Sequence, residues 1–167
     1  MTRHCLFSSV IRDISRAERL SDTPVMHIVF LLIDSRFCIK TAEYCDSIGV
    51  DRLSFCPATI HGGTLIERFW RKGAYQPPWI WSCIEIINTV RSKLDISSLL
   101  DTSGFGSRRG PYNCKKCNKD LKHLIIAKNL TQELIEYDCE CKSEWLAEIN
   151  NADMNYSNVE IKHLPLY

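Results

Sequence analysis

The stretch VMHIVFLLI, residues 25–33, is apolar at every position except His27, and branched side chains dominate it. A strand that is buried on both faces, as in a parallel sheet, has this pattern. Residues 35–49 follow with apolar side chains at helical spacing and end at Gly49, a residue typical of helix C-terminal caps. Residues 50–56 return to a strand pattern, so the order predicts two parallel strands joined by a crossover helix.

Two more helices and a third strand follow along the chain. Apolar residues at helical intervals predict helices over 64–73 and 77–94, and residues 94–100 have the apolar character of a strand. Residues 25–101 are therefore predicted to form a βαβαβ unit of the α/β class, for which a right-handed parallel arrangement is the default. The unit is either a small open α/β layer or the last strands of a larger barrel. Residues 1–24 are polar and mixed, and they are treated as a separate N-terminal segment.

Composition and charge narrow the class of protein. The 167 residues are 45% hydrophobic, which suits one globular unit with a small appendage. The formal charge of +1 gives no global argument for a nucleic-acid partner, so any such argument rests on local patches. No apolar run reaches the roughly 18 residues of a membrane span, and we expect a cytoplasmic protein without membrane contact. In that compartment nine cysteines, an odd number, do not indicate a disulfide framework.

The composition changes in the second region of the chain, residues 102–150. Glycine, serine and lysine become more frequent, and the strand pattern stops. Short helices are predicted over 119–129, 131–137 and 142–150. Residues 151–167 form a polar tail.

Two cysteine pairs stand in this appendage, Cys114-x-x-Cys117 and Cys139-x-Cys141. A structural zinc ion takes four thiolates in a tetrahedron, and both spacings let two sulfurs reach one ion. The region has few large apolar residues, so a metal would supply stability that its core lacks. The sequence therefore predicts a structural zinc site. An iron–sulfur cluster takes the same ligands, and four unrelated free cysteines are a further alternative.

A local positive patch precedes and overlaps the first cysteine pair. Arg108 and Arg109 follow a glycine-serine stretch, and Lys115 and Lys116 lie between the two cysteines of the first pair. Clustered cations of this kind indicate contact with RNA phosphates. These four residues are the predicted RNA-binding set.

A short turn after the second predicted strand combines His61, Gly62, Gly63 and Thr64. Ligands of α/β folds bind where strands end, and a Gly-Gly-Thr turn into a helix can present backbone N–H groups to an anion. We take these four residues as a candidate substrate-binding turn. The alternative is a glycine turn in which Thr64 serves only as the helix cap.

Three stretches together resemble one known family. They are VDRLSFCPATIHGGTLIERFWRKGAYQPPWIWSCIEII (50–87), DTSGFGSRRGPYNCKKCNKD (101–120) and YDCECKSEW (137–145). In this order they resemble the C-terminal part of the radical SAM proteins of archaeosine biosynthesis, which form the radical SAM subunit of archaeosine synthase.

The resemblance implies a partial (β/α) barrel that works with a [4Fe–4S] cluster and S-adenosylmethionine. It also implies two partners, archaeal tRNA and the transferase subunit of archaeosine synthase. The family is a lyase that acts on a lysine-modified deazaguanine at position 15 of tRNA and leaves the amidine of archaeosine. In this chain, residues 25–101 would be the end of the barrel, followed by the cysteine-rich appendage.

One element of the family is absent. Radical SAM enzymes hold their cluster with three cysteines spaced C-x-x-x-C-x-x-C, and the nine cysteines here do not contain that spacing. We therefore assign no catalytic residue and leave open whether the chain is itself an enzyme. We expect a truncated or split product, with the [4Fe–4S] cluster and S-adenosylmethionine only in a missing N-terminal radical SAM half. The alternatives are a stand-alone zinc-stabilised RNA- or protein-binding module without catalysis, and an inactive remnant.

Overall fold

The computed structural model describes residues 25–30 and 35–156, with side chains described over 35–151. Three parallel strands form one sheet in the order β1-β2-β3: Val25–Phe30, Arg52–Pro57 and Ser97–Leu100. The helices are α1 (Ser35–Ser47), α2 (Leu65–Arg71), α3 (Ile80–Lys93), α4 (Asn118–Thr131) and α5 (Cys141–Tyr156).

The predicted α/β class is confirmed, and each strand and helix predicted before residue 101 has a counterpart. The first predicted strand is seen over 25–30, and its last three residues lie outside the described part, as does the N-terminal segment 1–24. Helix α3 begins three residues later than predicted because two prolines and the N-cap Trp79 precede it. A complete barrel is not seen in the described residues, and the assignment to a radical SAM barrel stays a prediction.

One face of the sheet carries the main core. Leu53 and Phe55 of β2 are fully buried, whereas Ser54 and Cys56, which alternate with them, are half-buried. Helices α1 and α3 lie against each other and against the sheet, and α3 contributes the largest share of buried side chains. The core is continuous with the appendage, because the side chains of α4 and α5 belong to the same buried cluster. The division into regions at residues 101 and 102 stays a prediction.

The outer edge of β3 is closed by side chains rather than by a further strand. The Leu100 N–H donates to Asn129 Oδ1 at 3.1 Å, and Asn129 Nδ2 donates back to the Leu100 carbonyl at 3.0 Å. The Ser98 N–H donates to Gln132 Oε1 at 2.8 Å, and Arg91 donates to the Ser98 carbonyl at 2.8 Å. Because these groups satisfy the edge, β3 offers little to another strand.

The helix predicted over 131–137 is wrong. Gln132 takes a left-handed conformation, with φ of 59°, and caps the end of α4. The segment that follows runs without regular structure until α5. Asn88 of α3 holds it in place, since its amide donates to the Ile135 carbonyl at 2.9 Å and accepts from the Ile135 N–H at 2.8 Å. Helix α5 continues to Tyr156, so the predicted tail boundary at 150 falls inside a helix.

The glycine-rich loop between β3 and α4 packs tightly against the loop that follows β2. A Cβ on Gly110 would lie 2.2 Å from the Gly104 carbonyl oxygen, and a Cβ on Gly104 would lie 2.3 Å from Thr59. The Ile60 N–H donates to the Arg109 carbonyl at 2.7 Å and joins the two loops. The glycines are therefore required for close packing.

No helix in the described part of the chain combines the length and the apolar character that crossing a membrane demands.

Candidate metal centre and cationic cleft

The four cysteines of the predicted zinc site come together. Their sulfur atoms all lie within 4.8 Å of one another. Cys114 Sγ is 3.4 Å from Cys117 Sγ and 3.7 Å from Cys139 Sγ, and Cys117 Sγ is 3.7 Å from Cys141 Sγ. All four are free thiols, not disulfides.

These separations match four thiolates around one ion. Thiolates that bind zinc at about 2.3 Å in a tetrahedron lie about 3.8 Å apart. In a four-iron cluster each cysteine binds a different iron, which spreads the sulfurs further. The donor set and its geometry therefore fit a single metal ion that prefers sulfur. All four positions are filled by protein ligands, which is typical of a structural site and leaves no open position for a reacting group.

Local structure explains how the two pairs converge. The first pair forms the turn that leads into α4, where the Asn118 N–H donates to the Cys114 carbonyl at 3.2 Å. The second pair forms the turn into α5, where the Lys142 N–H donates to the Cys139 carbonyl at 2.8 Å. Both pairs thus lie at helix N-termini, whose partial positive charge favours thiolates. A metal ion here would join the start of α4 to the start of α5.

The thiols differ in their acidity. Burial raises the pKa of Cys114, but hydrogen bonds from the Cys117 backbone and from the neighbouring sulfurs outweigh it and bring that pKa down to about 7. Burial raises the pKa of Cys117 and that of Cys141. Metal binding must therefore release protons, and it strengthens as the pH rises.

Trp81 connects the sulfur cluster to the main core. Its indole N–H donates to Cys141 Sγ at 3.4 Å, and both side chains are buried. The Tyr137 ring lies 6.2 Å from the Trp81 ring, and the Lys142 ammonium lies 5.6 Å from the same ring. The helical spacing of Trp81 with Ile84 predicts only a core position and not the contact with the sulfur cluster. The one signal in the sequence for such a contact is that a buried indole N–H needs an acceptor.

The candidate substrate-binding turn is engaged in capping α2. Thr64 is the N-cap, and its hydroxyl accepts from the Glu67 N–H at 3.2 Å and donates to the His61 carbonyl at 2.8 Å. The N–H of Gly63, the residue before the N-cap, donates to the Glu67 carboxylate at 2.8 Å, so both side chains of this turn satisfy backbone N–H groups at the start of α2. His61 Nε2 lies 3.1 Å from the Thr59 hydroxyl. A substrate-binding role for this turn stays a prediction.

Glu67 also joins α2 to the glycine-rich loop. The Gly63 N–H, then Arg109 and then Arg71 hold the pKa of its carboxyl down at about 2. Arg109 donates to Glu67 at 2.8 Å and to the Ile60 carbonyl at 3.3 Å, and its guanidinium lies 4.9 Å from the Trp70 ring. Arg109 is thus committed to contacts within the protein.

The predicted RNA-binding cations separate into two groups. Lys116, like Arg109, is paired with a carboxylate, since its ammonium lies 2.8 Å from Glu140. Arg108 and Lys115 instead line a cleft of about 1070 Å³ between the α2–α3 connection, the glycine-rich loop and the start of α4. Two further lysines of α4, which sequence reasoning missed, line the same cleft. With Lys115 they follow a helical spacing that the sequence contained: Lys119 and Lys122.

Alignments with curated relatives extend over most of this chain. An uncharacterized protein of Methanocaldococcus jannaschii is 42% identical over 123 residues, which are 70% of this chain and 33% of that protein. Archaeosine synthase subunit beta of Methanosarcina acetivorans is 34% identical over 141 residues, 82% of this chain and 38% of that protein. The subunit of the same name from Thermococcus kodakarensis is 30% identical over 127 residues, 72% of this chain and 37% of that protein.

The chain therefore spans between 33% and 38% of the length of the curated relatives it matches. The resemblance stated from the sequence is confirmed, since two relatives carry the name of the archaeosine synthase subunit. No family model matches the chain, and no solved structure matches it significantly.

Proposed function

Because the chain is homologous to a part of archaeosine synthase subunit beta, we propose that it takes part in archaeosine formation in tRNA. The observation that carries the proposal is the match to the Methanosarcina acetivorans subunit, at 34% identity over 82% of this chain. Similarity along most of the chain means that the shared part is more than one motif. The relative's name indicates the reaction, and the residues of this chain indicate what it would contribute.

The chain would contribute the C-terminal portion of a radical SAM lyase that acts on the lysine-modified base. The [4Fe–4S] cluster and S-adenosylmethionine, which supply the radical chemistry, would be held by an N-terminal radical SAM half. Two observations support this arrangement. The cysteine spacing for that cluster is absent from the sequence, and the match leaves well over half of each relative uncovered.

The sheet supports a particular place for that other half. The edge of β3 is closed by Asn129, Gln132 and Arg91, so further hydrogen-bonded strands would have to join on the β1 side. In parallel sheets new strands add at a free edge. The chain would therefore end the sheet, and its appendage would cap that end.

The appendage would hold one structural zinc ion through Cys114, Cys117, Cys139 and Cys141. Support comes from the sulfur separations of 3.4 to 3.7 Å and from the four protein ligands, which leave no open coordination position. The ion would fix the starts of α4 and α5 beside α3. The partners would be tRNA and the transferase subunit, since the relatives' name marks them as one subunit of a synthase.

A second function is a zinc-stabilised RNA- or protein-binding module without catalysis. The absent cluster motif and the closed four-cysteine site favour it. A gene deletion in the organism that encodes the chain separates the two. We expect the tRNA to lose archaeosine and to accumulate the lysine-modified base, as measured by mass spectrometry of nucleosides. Unchanged archaeosine would refute the first function.

A further inference from the structure

The cleft beside the glycine-rich loop carries an excess of positive charge. Arg108 enters it from the loop, Lys115 from the turn before α4, and Lys119 and Lys122 from the first turns of α4. Lys119 and Lys122 are three residues apart, so they share one face of the helix. No aspartate or glutamate is among the residues that line the cleft within the described part of the chain.

These cations differ from those nearby because carboxylates of the protein do not neutralise them. Arg109 is paired with Glu67, and Lys116 is paired with Glu140, both at 2.8 Å. The cleft cations have no ion-pair partner within residues 35–151, where side chains are described. Like charges so close together repel one another, and an anionic ligand would relieve that repulsion.

Aromatic side chains line the same cleft. Trp70 and Tyr75 stand on the α2–α3 side, and Phe105 and Tyr112 stand on the side of the glycine-rich loop. The Arg109 guanidinium over the Trp70 ring helps to fix that ring. Planar rings among cations are the combination that binds unpaired RNA, since bases stack on rings while phosphates meet the cations. An acidic protein segment would need the cations but not the rings.

The cleft wall also includes a hydrogen-bond donor without a partner. Asn113 lines the cleft and is 5% exposed, and its Nδ2 has no hydrogen-bond partner among the described residues. Its Oδ1 accepts a hydrogen bond from the backbone N–H of Trp81 at 3.3 Å, which fixes the orientation of the amide. Because that nitrogen is itself enclosed by protein atoms, a ligand in the cleft does not reach it, and the amide serves to hold the cleft wall against α3.

The cleft has room for a short chain segment. Its volume of about 1070 Å³ lies at the upper end of the range of about 300–1,000 Å³ for small-ligand sites, so the cations and rings, rather than the size, indicate the ligand. We propose that the cleft binds an unpaired RNA segment. Its phosphates would contact Arg108 and the three cleft lysines, and a base would stack against Trp70 and Tyr75. The choice of RNA over other polyanions rests on the proposed function.

The test is fluorescence anisotropy of a labelled, unstructured single-stranded RNA with the full, metal-loaded chain. The variant Lys115→Ala/Lys119→Ala/Lys122→Ala should weaken binding at least about tenfold and flatten the salt dependence by about two units, since each contact with single strands contributes about 0.7. The matched control removes three lysines outside the cleft and has the same net charge: Lys40→Ala/Lys93→Ala/Lys128→Ala. Equal losses in the two triple variants would overturn the proposal.

Tyr75 separates base stacking from plain charge attraction. Tyr75→Ala should weaken RNA binding about tenfold and leave heparin binding unchanged, and Tyr75→Phe should restore RNA binding because it keeps the ring. Equal loss of RNA and heparin binding in Tyr75→Ala would overturn the proposal. So would equal competition by duplex RNA, or a cleft that binds an acidic peptide in preference to RNA.

The two proposals can fail separately. If the deletion strain keeps normal archaeosine while the purified chain binds RNA through the cleft, the proposed function is refuted and the cleft site is supported. The other case is a deletion strain that loses archaeosine and recovers it fully when it carries the triple lysine variant. If that variant binds RNA like the wild type, only the cleft site is refuted.

Discussion

Replacing Trp81 by phenylalanine should weaken the hold on the metal without emptying the core. The substitution keeps a ring in place and removes the indole N–H that donates to Cys141 Sγ at 3.4 Å. A hydrogen bond to a charged group contributes about 1.5–3 kcal/mol, which corresponds to about ten- to hundredfold in affinity. Groups that hydrogen-bond to metal ligands have effects of about the same size, 10–100-fold. We therefore expect zinc affinity to fall about ten- to hundredfold in Trp81→Phe.

The assay is competition for zinc with a chromogenic chelator, under reducing and anaerobic conditions. Cobalt-loaded protein adds a spectroscopic readout, because a thiolate that loses a hydrogen bond shifts its charge-transfer band. Trp145→Phe is the matched control. Trp145 is also buried, but its N–H donates to the Ser82 hydroxyl at 2.9 Å and not to a sulfur. Zinc affinities within about twofold in the two variants, with the same cobalt spectrum, would refute the reasoning.

Three further outcomes are expected. Metal removal by a chelator should unfold the appendage, seen as lost helical circular dichroism, because binding free energy is also folding free energy; an unchanged spectrum would contradict this. Asn129→Ala should lower the free energy of unfolding in urea by about 1–3 kcal/mol, since both backbone groups of Leu100 lose their partner, whereas the exposed Asn150→Ala should not. The pKa of Glu67 is lowered to about 2, so its ionised form adds stability that is complete above about pH 4.5 and lost toward pH 2. Between pH 5 and pH 3, the free energy of unfolding measured in urea should therefore fall less in Glu67→Gln than in the wild type.

The sequence by itself determined the α/β class and the four cysteines that can hold a metal ion. Buried strands appear as short apolar runs and helices as a period of 3.6 residues, so both can be recognised from the local pattern. The four cysteines were identifiable because short spacings such as Cys114-x-x-Cys117 constrain geometry locally. The segment after Thr131 was predicted incorrectly as a helix because its conformation depends on Asn88, 47 residues away from Ile135.

Only the tertiary structure decided which cations are available to a ligand. Arg108 and Arg109 are adjacent and chemically alike, yet Arg109 meets Glu67 from 42 residues away and Arg108 faces the cleft. Likewise, the acceptor for the Trp81 indole comes from Cys141, 60 residues along the chain. Such pairings depend on how distant segments pack, and a local pattern carries no information about them. The sequence therefore determined which side chains are present, and the fold decided which of them remain unneutralised.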